Sequence, residues 1–385
     1  MQETAHTGIV VGMDSCYEER QHALYRWMDS ENIAMVMLED SEAHRDPAVR
    51  WLTGHHADAL VFLVADQRCI LVAWDEHLAA KHGHADRIVA YNEFGRDPIS
   101  AVRTIADMLK LPVGSRIEIP DTTPYPVFLQ YVETLRDWDV LCRREGVRDY
   151  ITARRAIKDE REIAIYRKVS AITNDIIDRV QAEFERGKPI SETDIALFID
   201  AEGRKRGCEG CGFETLAAGS TRSFAIHAFP NYTNAPIGDK GLSILDFGLK
   251  YKGYSSDVTL TIARGPLSPA QNRLVTLVQK AHDQAMARIK DGMAARELAI
   301  YVDSFFEKSK KTMPHGLGHG IGLEAHEQPF LRSRADNAWR LEQGMIFTVE
   351  PGLYDPRQGG CRLENDVLIG PKGPEILTKS RIIKL

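Results

Sequence analysis

Residues 243–262 read SILDFGLKYKGYSSDVTLTI and place two acids in otherwise apolar segments. The first segment predicts a core strand that Asp246 interrupts. In the second, which begins at Asp257, apolar residues alternate with polar ones, so Asp257 and the threonines face one side of a strand and the apolar residues face the other. A turn at residues 250–254 allows the two strands to pair as a hairpin. Both carboxylates would then lie on one face.

A second pair of acids occurs downstream. Residues 345–349 predict a strand that ends at Glu350, and residues 361–369 predict a strand that contains Glu364. One such acid alone is most simply a satisfied buried carboxylate. Four acids in two matching pairs cannot all be ionised without a compensating charge, because burial in apolar strands disfavours the charged form. Two divalent cations would supply that charge, and two-metal hydrolases hold their ions by bridging carboxylates.

Between the Asp246/Asp257 pair and Glu350 lies a glycine-rich segment with three histidines. Residues 314–329 read PHGLGHGIGLEAHEQP and contain His315, His319 and His326. Neutral imidazole is a good ligand for manganese, cobalt, iron or zinc, whereas an all-oxygen set would favour magnesium or calcium. The glycines let the backbone approach such a site closely. The segment therefore indicates imidazole ligands beside the acids.

These motifs resemble the pita-bread metallopeptidases, which include aminopeptidase P, prolidase, methionine aminopeptidase and the metal-free creatinase. The resemblance spans roughly residues 151–385 and rests on DFG at 246–248 followed by Asp257, HGLGHGIGL at 315–323, HEQP at 326–329, EPG at 350–352 and RLE at 362–364. It implies an α+β chain of two domains: residues 1–150 form an N-terminal α/β domain of the creatinase and prolidase type. Residues 151–385 form a pita-bread catalytic domain, with a pseudo-twofold antiparallel sheet and flanking helices.

The resemblance also implies a site. The metal ligands that it implies are Asp246, Asp257, His319, Glu350 and Glu364. The catalytic residues that it implies are His227, His315, His326, Glu350 and Arg362. Because all five ligand positions are filled, a creatinase-like enzyme and a non-catalytic peptide-binding scaffold are both disfavoured. One departure is Leu260, where the family often has arginine.

Each catalytic residue has an implied role. Glu350 would shuttle the proton from water to the leaving nitrogen, and His326 would stabilise the oxyanion. His227 would contact the substrate near the scissile bond; its alternative is a packed histidine in a proline-rich turn. His315 and Arg362 would orient either the substrate carboxylate or the ligand network.

The implied activity is hydrolysis of the Xaa-Pro bond, by a dipeptidase or an aminopeptidase, through a hydroxide that bridges two divalent ions. Manganese is the first expectation for the metal, with cobalt, iron or zinc as alternatives. The same scaffold also hosts hydrolases and lyases of small non-peptide substrates, such as ectoine hydrolase, so that alternative stays open. Relatives suggest a homodimer.

Composition narrows the class of protein. The chain has 385 residues, a formal net charge of −6 and 43% hydrophobic residues, as in globular proteins, and gives no reason to expect a nucleic-acid partner. Its longest apolar run, residues 59–65, is far shorter than the roughly 20 residues of a membrane span. The opening MQET lacks the features of a signal peptide, so we expect a cytoplasmic protein. Cys208 and Cys211 form a lone C-x-x-C pair. Reduced thiols are a simpler interpretation of this pair than a zinc site.

Local patterns predict further elements. Residues 32–38 and 59–65 favour strands, residues 69–73 pair with the latter as a hairpin, and residues 100–109 favour a helix. A long amphipathic helix is predicted by the apolar residues Ile165, Val169, Ile172, Ile176, Val180 and Phe184. Ser191 and Ser268 are predicted to cap later helices. The remaining N-terminal candidates for metal binding, better explained as solvated surface side chains, are His55, His56, His77, His82 and His84.

Overall fold

The structure is a computed structural model that describes residues 15–385, so the opening MQET lies outside the described residues. The chain has a two-domain α+β fold and divides into two compact units, with the boundary between Arg154 and Arg155. Helix α6 (Val147–Ala156) contains that boundary. In the described part of the chain, no helix has the length and apolar character needed to cross a bilayer.

The first unit is built on one mixed sheet. Its helices are α1 (Ser15–Ser30), α2 (Pro47–Thr53), α3 (Glu76–His82), α4 (Pro98–Met108) and α5 (Tyr125–Thr134). Its strands are β1 (Met35–Asp40), β2 (Ala59–Val64), β3 (Arg68–Ala73), β4 (Arg87–Ala90), β5 (Arg116–Glu118) and β6 (Asp139–Leu141). The strand order is β4-β3-β2-β1-β5-β6. The predicted hairpin is present as β2 and β3, which pair antiparallel.

Two details of the first unit differ from expectation. The strand predicted from residue 32 begins at Met35, because Asn32 has a φ of 54° and the Ile33 N–H still donates to the carbonyl of Met28 at the end of α1. His55 is fully buried rather than solvated, since it follows the turn at Gly54 that ends α2 against the core. By contrast, His56, His77 and His82 are exposed.

Two of the four helices of the second unit begin at the caps that the sequence predicts. The four helices are α7 (Glu160–Glu185), α8 (Glu192–Lys205), α9 (Pro269–Met286) and α10 (Ala295–Glu307). Ser191 before α8 and Ser268 before α9 each accept a hydrogen bond from the backbone three residues on, in a capping box that satisfies otherwise unpaired N–H groups. The apolar residues predicted for α7 are buried from Val169 to Phe184, while Ile165 is half-buried.

The strands of the second unit form several sheets. They are β7 (Gly210–Cys211), β8 (Leu216–Ala218), β9 (Gly241–Phe247), β10 (Leu249–Tyr251), β11 (Tyr254–Ser255), β12 (Val258–Arg264), β13 (Gly318–Gly320), β14 (Glu327–Leu331), β15 (Ile346–Val349), β16 (Gly352–Asp355), β17 (Gly359–Arg362), β18 (Asn365–Gly370), β19 (Gly373–Ile376) and β20 (Ile382–Lys384). Two sheets matter for the site. One has the order β20-β12-β9-β8, and the other β14-β13-β15-β18-β19.

Helices α9 and α10 bury their apolar faces against the five-stranded sheet. Leu274 and Val278 on α9 and Val302 on α10 belong to one buried cluster with Phe347 and Val367 from β15 and β18. Burial of each such side chain contributes roughly 1.5–3 kcal/mol. This core holds the strands that carry the second pair of acids.

The turn expected within residues 250–254 is present at residues 252–253, where it joins β10 to β11 in a small hairpin that lies between β9 and β12 in the chain. One prediction about the acidic strands needs correction. Glu364 does not lie within a continuous strand, because it falls between β17 and β18, which belong to different sheets. There it forms an isolated bridge with Thr259 of β12. This bridge links the four-stranded and five-stranded sheets at the candidate site.

Candidate metal centre

The first pair of acids lies on one face of an antiparallel hairpin, as the alternation predicted. Asp246 of β9 lies opposite Thr259 of β12. Asp257 immediately precedes β12, is 4% exposed, and its backbone N–H donates to Asp366 Oδ2 at 3.1 Å. The strand period therefore directs Asp246, Asp257 and Thr259 to the same side.

Glu364 approaches this face from the short link between β17 and β18. Its Oε2 accepts a hydrogen bond from the Thr259 hydroxyl at 2.7 Å, and the residue is 2% exposed. Because Thr259 lies directly between Asp246 and Glu364, the two acidic pairs meet at one point.

His319 completes the cluster from β13. Its Nδ1 lies 3.1 Å from the Gly320 carbonyl, so Nδ1–H donates there and Nε2 keeps its lone pair. Nε2 lies 3.8 Å from Asp257 Oδ2 and 3.6 Å from Glu350 Oε1. Burial, followed by the neighbouring His326, lowers the pKa of His319 to about 3. The imidazole is thus neutral, which is the form that binds a metal.

Three acids of the cluster, Asp257, Glu350 and Glu364, have too few positively charged neighbours to balance them, and their pKa values are raised. Burial and then Glu364 raise the pKa of Asp257 well above its usual range. Burial and Glu364 likewise raise the pKa of Glu350 well above its usual range. Burial and Asp246 raise the pKa of Glu364 to about 7. Among residues 15–385, Arg362 is the cation in contact with the group, through Nη2 and Asp246 Oδ2 at 2.6 Å.

The donor set fits divalent cations. Among residues 15–385, Asp257, His319 and Glu364 form the one group of three potential metal ligands whose donor atoms all lie within 4.8 Å of one another. Oδ1 of Asp246 and Oδ1 of Asp257 are buried and find no hydrogen-bond partner in the described part of the chain. Buried, unpartnered carboxylate oxygens beside a neutral imidazole are what an oxygen-preferring transition metal requires.

All nine residues predicted for the site line one cavity of about 410 Å³ in the second unit. His326 lies beside His319, with 4.3 Å between ring centres. His227 is exposed at the cavity, on the irregular segment between β8 and β9. Cys208 and Cys211 are both free thiols and are not among the lining residues.

Arg362 and His315 belong to a hydrogen-bond network in the wall of the cavity. Besides Asp246, Arg362 donates to the Thr259 hydroxyl, to the Ile226 carbonyl and, at 2.8 Å, to the Tyr354 hydroxyl. The Tyr354 hydroxyl lies 3.0 Å from His315 Nε2. Four of the five guanidinium N–H groups of Arg362 are therefore already committed.

Sequence reasoning missed several residues around the cluster. Tyr354 and Thr259 carry no motif signal, because each acts only through partners that are distant along the chain. Asp366 could have been found from the sequence, because it is another acid two residues after Glu364. Its carboxylate accepts the backbone N–H of Asp257. Arg332 also lines the cavity, with its guanidinium 4.2 Å from the ring centre of Phe330.

A pita-bread fold with buried carboxylates and a neutral imidazole at the base of a cavity defines a metal-dependent hydrolase. The chain belongs to metallopeptidase family M24, whose family model matches residues 164–371. The resemblance inferred from the motifs is thereby confirmed.

Named relatives cover nearly the whole chain. A Xaa-Pro dipeptidase of Pyrococcus horikoshii is 27% identical over 367 residues, which are 94% of this chain and 97% of that protein. The solved structure of a Xaa-Pro dipeptidase from Bacillus anthracis matches with a TM-score of 0.82 at 26% identity, over 96% of this chain and all of that one. The prolidase from Pyrococcus furiosus matches with a TM-score of 0.78 at 26% identity, over 92% of this chain and 99% of that one.

Proposed function

We propose that this metallopeptidase hydrolyses the peptide bond that precedes proline, in Xaa-Pro dipeptides or at the N-terminus of short peptides. The observation that carries the proposal is the convergence of all nine predicted site residues on one cavity. The Xaa-Pro dipeptidases that match the chain over almost its full length support it. They favour it over a hydrolase of small non-peptide substrates.

The proposed metal ligands are Asp246, Asp257, His319, Glu350 and Glu364. Two divalent ions, when bound, supply Lewis-acid activation of water and of the scissile carbonyl, and they neutralise the acids. Four carboxylates with a single imidazole form an oxygen-rich set, which suits Mn²⁺ better than softer ions. Metal analysis after purification, followed by reconstitution with Mn²⁺, Co²⁺, Fe²⁺ or Zn²⁺, tests this choice.

Glu350 is the proposed proton carrier. As a carboxylate that lines the cavity, it can accept a proton from the attacking water and release it to the leaving nitrogen. That transfer is essential because an amide nitrogen, including the tertiary nitrogen of proline, is a poor leaving group until it is protonated.

His326 and His227 are the proposed contacts to the reacting carbonyl and its surroundings. Both are exposed at the cavity, so their ring N–H groups can reach a bound peptide. His326 would donate a hydrogen bond to the oxyanion as the carbonyl becomes tetrahedral. His315 and Arg362 would orient the ligands, since their hydrogen bonds lead to Tyr354 and Asp246.

The cavity walls suit a short proline peptide. Phe213, Leu216 and Phe330 provide apolar surface, on which shape can select a pyrrolidine ring. Arg332 forms no ion pair with any carboxylate in the described range, although it lies exposed at the cavity. We assign it to the terminal carboxylate of a dipeptide, because guanidinium groups bind carboxylates in bidentate fashion.

The assay compares an Xaa-Pro dipeptide with an Xaa-Pro-Yaa tripeptide, with Mn²⁺ and with chelator. Chelator-sensitive cleavage of either one supports the proposal, and the preferred length separates a dipeptidase from an aminopeptidase. Arg332→Met should raise KM for the dipeptide about tenfold or more and should leave KM for a dipeptide with an amidated C-terminus almost unchanged. Failure to cleave both peptides, with two ions bound, would overturn the proposal in favour of a small non-peptide substrate.

We further propose a cytoplasmic homodimer. The described cysteines from Cys69 to Cys361 form no disulfide, which supports a reducing compartment. Tyr125, Leu129 and Val132 form an exposed apolar stripe along α5, which supports self-association. Light scattering coupled to gel filtration tests the oligomeric state.

A further inference from the structure

The segment that carries His227 has almost no secondary structure of its own. Residues 219–240 join β8 to β9 and contain no helix and, as pairing, only an isolated bridge between Ser191 and Pro236. Long irregular segments of this kind in a compact domain are usually functional. His227 and Phe229 are exposed on it, the latter at 93%. Something outside the segment must therefore fix its path.

Glu192, the first residue of α8, makes that connection. It is fully buried and is not among the residues that line the cavity. Its Oε1 accepts the Gly219 N–H at 2.7 Å. Its Oε2 accepts the backbone N–H of Thr233 at 2.8 Å and the Thr233 hydroxyl at 2.7 Å. A single carboxylate thus holds both ends of residues 219–233.

Arg222 extends the contact to the middle of the segment. Its Nη1 pairs with Glu192 Oε2, and its Nη2 donates to the carbonyl of Pro230. His227 lies between these two anchored residues. On the cavity side, Arg362 donates to the carbonyl of Ile226, directly before His227. The peptide that bears His227 is consequently held between the Glu192 hydrogen bonds and the network in the wall of the cavity.

We infer that Glu192 is a positioning residue, which places His227 at the cavity by binding both ends of residues 219–233. The inference rests on the proposed role of His227. All four groups that contact the carboxylate are donors, so a glutamine amide cannot replace it: its NH₂ would face either Gly219 N–H or the donors of Thr233 and Arg222. The isosteric Glu192→Gln change therefore removes hydrogen bonds from one end of the segment and leaves a donor facing a donor there.

The first test is a double-mutant cycle on the metal-loaded enzyme. Glu192→Gln should lower kcat for the Xaa-Pro substrate on the order of 10- to 100-fold, with little change in KM, because small misplacements of a reacting group have effects of this size. In a His227→Ala background the same change should cost less than about twofold, since the residue to be positioned is gone. Equal losses in both backgrounds would show a merely structural role and would overturn the inference.

Two further variants guard against misfolding. Thr233→Val removes one hydroxyl donor and keeps the backbone N–H, so it should give a smaller loss of kcat that also disappears in the His227→Ala background. Glu202→Gln is the matched control, because Glu202 lies on the same helix and pairs with Arg206 away from the cavity. It should leave kcat unchanged.

The second test does not depend on the substrate. Amide hydrogen exchange of residues 219–233 should accelerate about tenfold or more in Glu192→Gln, while β9, β12 and the Glu202→Gln control keep wild-type rates. Unchanged exchange in this segment would refute the inference even if peptide cleavage is observed. If no Xaa-Pro peptide is cleaved by the wild type, the proposed function fails, and the exchange result still decides whether Glu192 holds the segment.

Discussion

Two groups of buried carboxylates in the second unit have opposite electrostatic surroundings. Glu327 pairs with Arg155, which also contacts Glu324 at 3.0 Å, and Lys158 Nζ lies 3.7 Å from Glu327 Oε2. Burial would raise the pKa of Glu327, but Arg155 and Lys158 outweigh it and hold that pKa below its usual value. In the Asp257, Glu350 and Glu364 cluster, burial and neighbouring acids raise every pKa.

The difference separates a structural acid from a site. Arg155 and Lys158 neutralise the charge of Glu327 within the folded chain, so this acid needs no bound ion. The Asp257, Glu350 and Glu364 cluster has more negative charge than Arg362 can offset, so its carboxylates must either take up protons or bind cations from solution. Equal burial of an acid therefore says little about function until its partners are counted.

The largest expected effect comes from removing one acid of the cluster. Glu364→Gln should lower peptide hydrolysis by at least about 1,000-fold, because it removes a proposed metal ligand, whereas loss of a side chain that only hydrogen-bonds to a ligand costs about 10- to 100-fold. Activity assays together with metal analysis check this. Full activity with two ions bound would refute the ligand assignment.

The same substitution at the ion-paired acid should act on stability instead. Glu327→Gln leaves Arg155 and Lys158 buried without a counter-charge and should cost about 3–5 kcal/mol of unfolding free energy. Metal-free Glu364→Gln should be at least as stable as the metal-free wild type, since it relieves repulsion. Chemical denaturation of both variants measures their free energies of unfolding. Equal destabilisation of the two would contradict the distinction between the ion-paired acid and the cluster.

Metal removal should destabilise the protein only through the cluster. Chelator should lower the Tm of the wild type, because ions present at 100 times their Kd stabilise the folded state by about 2.7 kcal/mol. Glu364→Gln should show little or no shift under the same treatment. A chelator-induced shift of equal size in this variant would place the bound metal elsewhere.

The smallest expected effect is the loss of the Glu327 contribution to stability at acidic pH. The lowered pKa of Glu327 means that its stabilising contribution is complete above the ordinary glutamate pKa of about 4.3 and is lost as the pH falls through the lower folded value. The difference in Tm between wild type and Glu327→Gln should therefore shrink between pH 5 and pH 3, roughly the range over which glutamate takes up its proton. Thermal melts across that range measure it. A constant difference would contradict the assigned ion pair.

Much of the site was predictable because its residues carry local signals. Asp246 and Asp257 interrupt apolar strands, His319 lies among glycines, and each departure from pattern marks a side chain that the core alone does not explain. Glu364 was identified by its motif. The prediction that it lies within one continuous strand was wrong, because a motif does not show where one strand ends and the next begins.

Other parts of the site have no local signal. Glu192 is a first-turn acid of a helix, a position where acids are common for reasons of the helix dipole alone. Its connection to the His227 segment becomes visible only when Gly219 and Thr233 are brought to it. The hydrogen bonds of Tyr354 to Arg362 and His315 likewise become visible only in the folded structure.

By itself, the sequence determined the family, the two-domain α+β fold, the helix caps and the identity of the residues that meet at the cavity, because strand alternation, capping chemistry and motif spacing are short-range properties. Tertiary structure decided which buried acids are neutralised within the chain and which are left in excess. Glu327 and Glu364 are both buried glutamates, and their opposite pKa directions arise from Arg155 and Asp246, which folding brings from far along the chain. Electrostatic energy depends on distance in space, and sequence separation does not specify that distance.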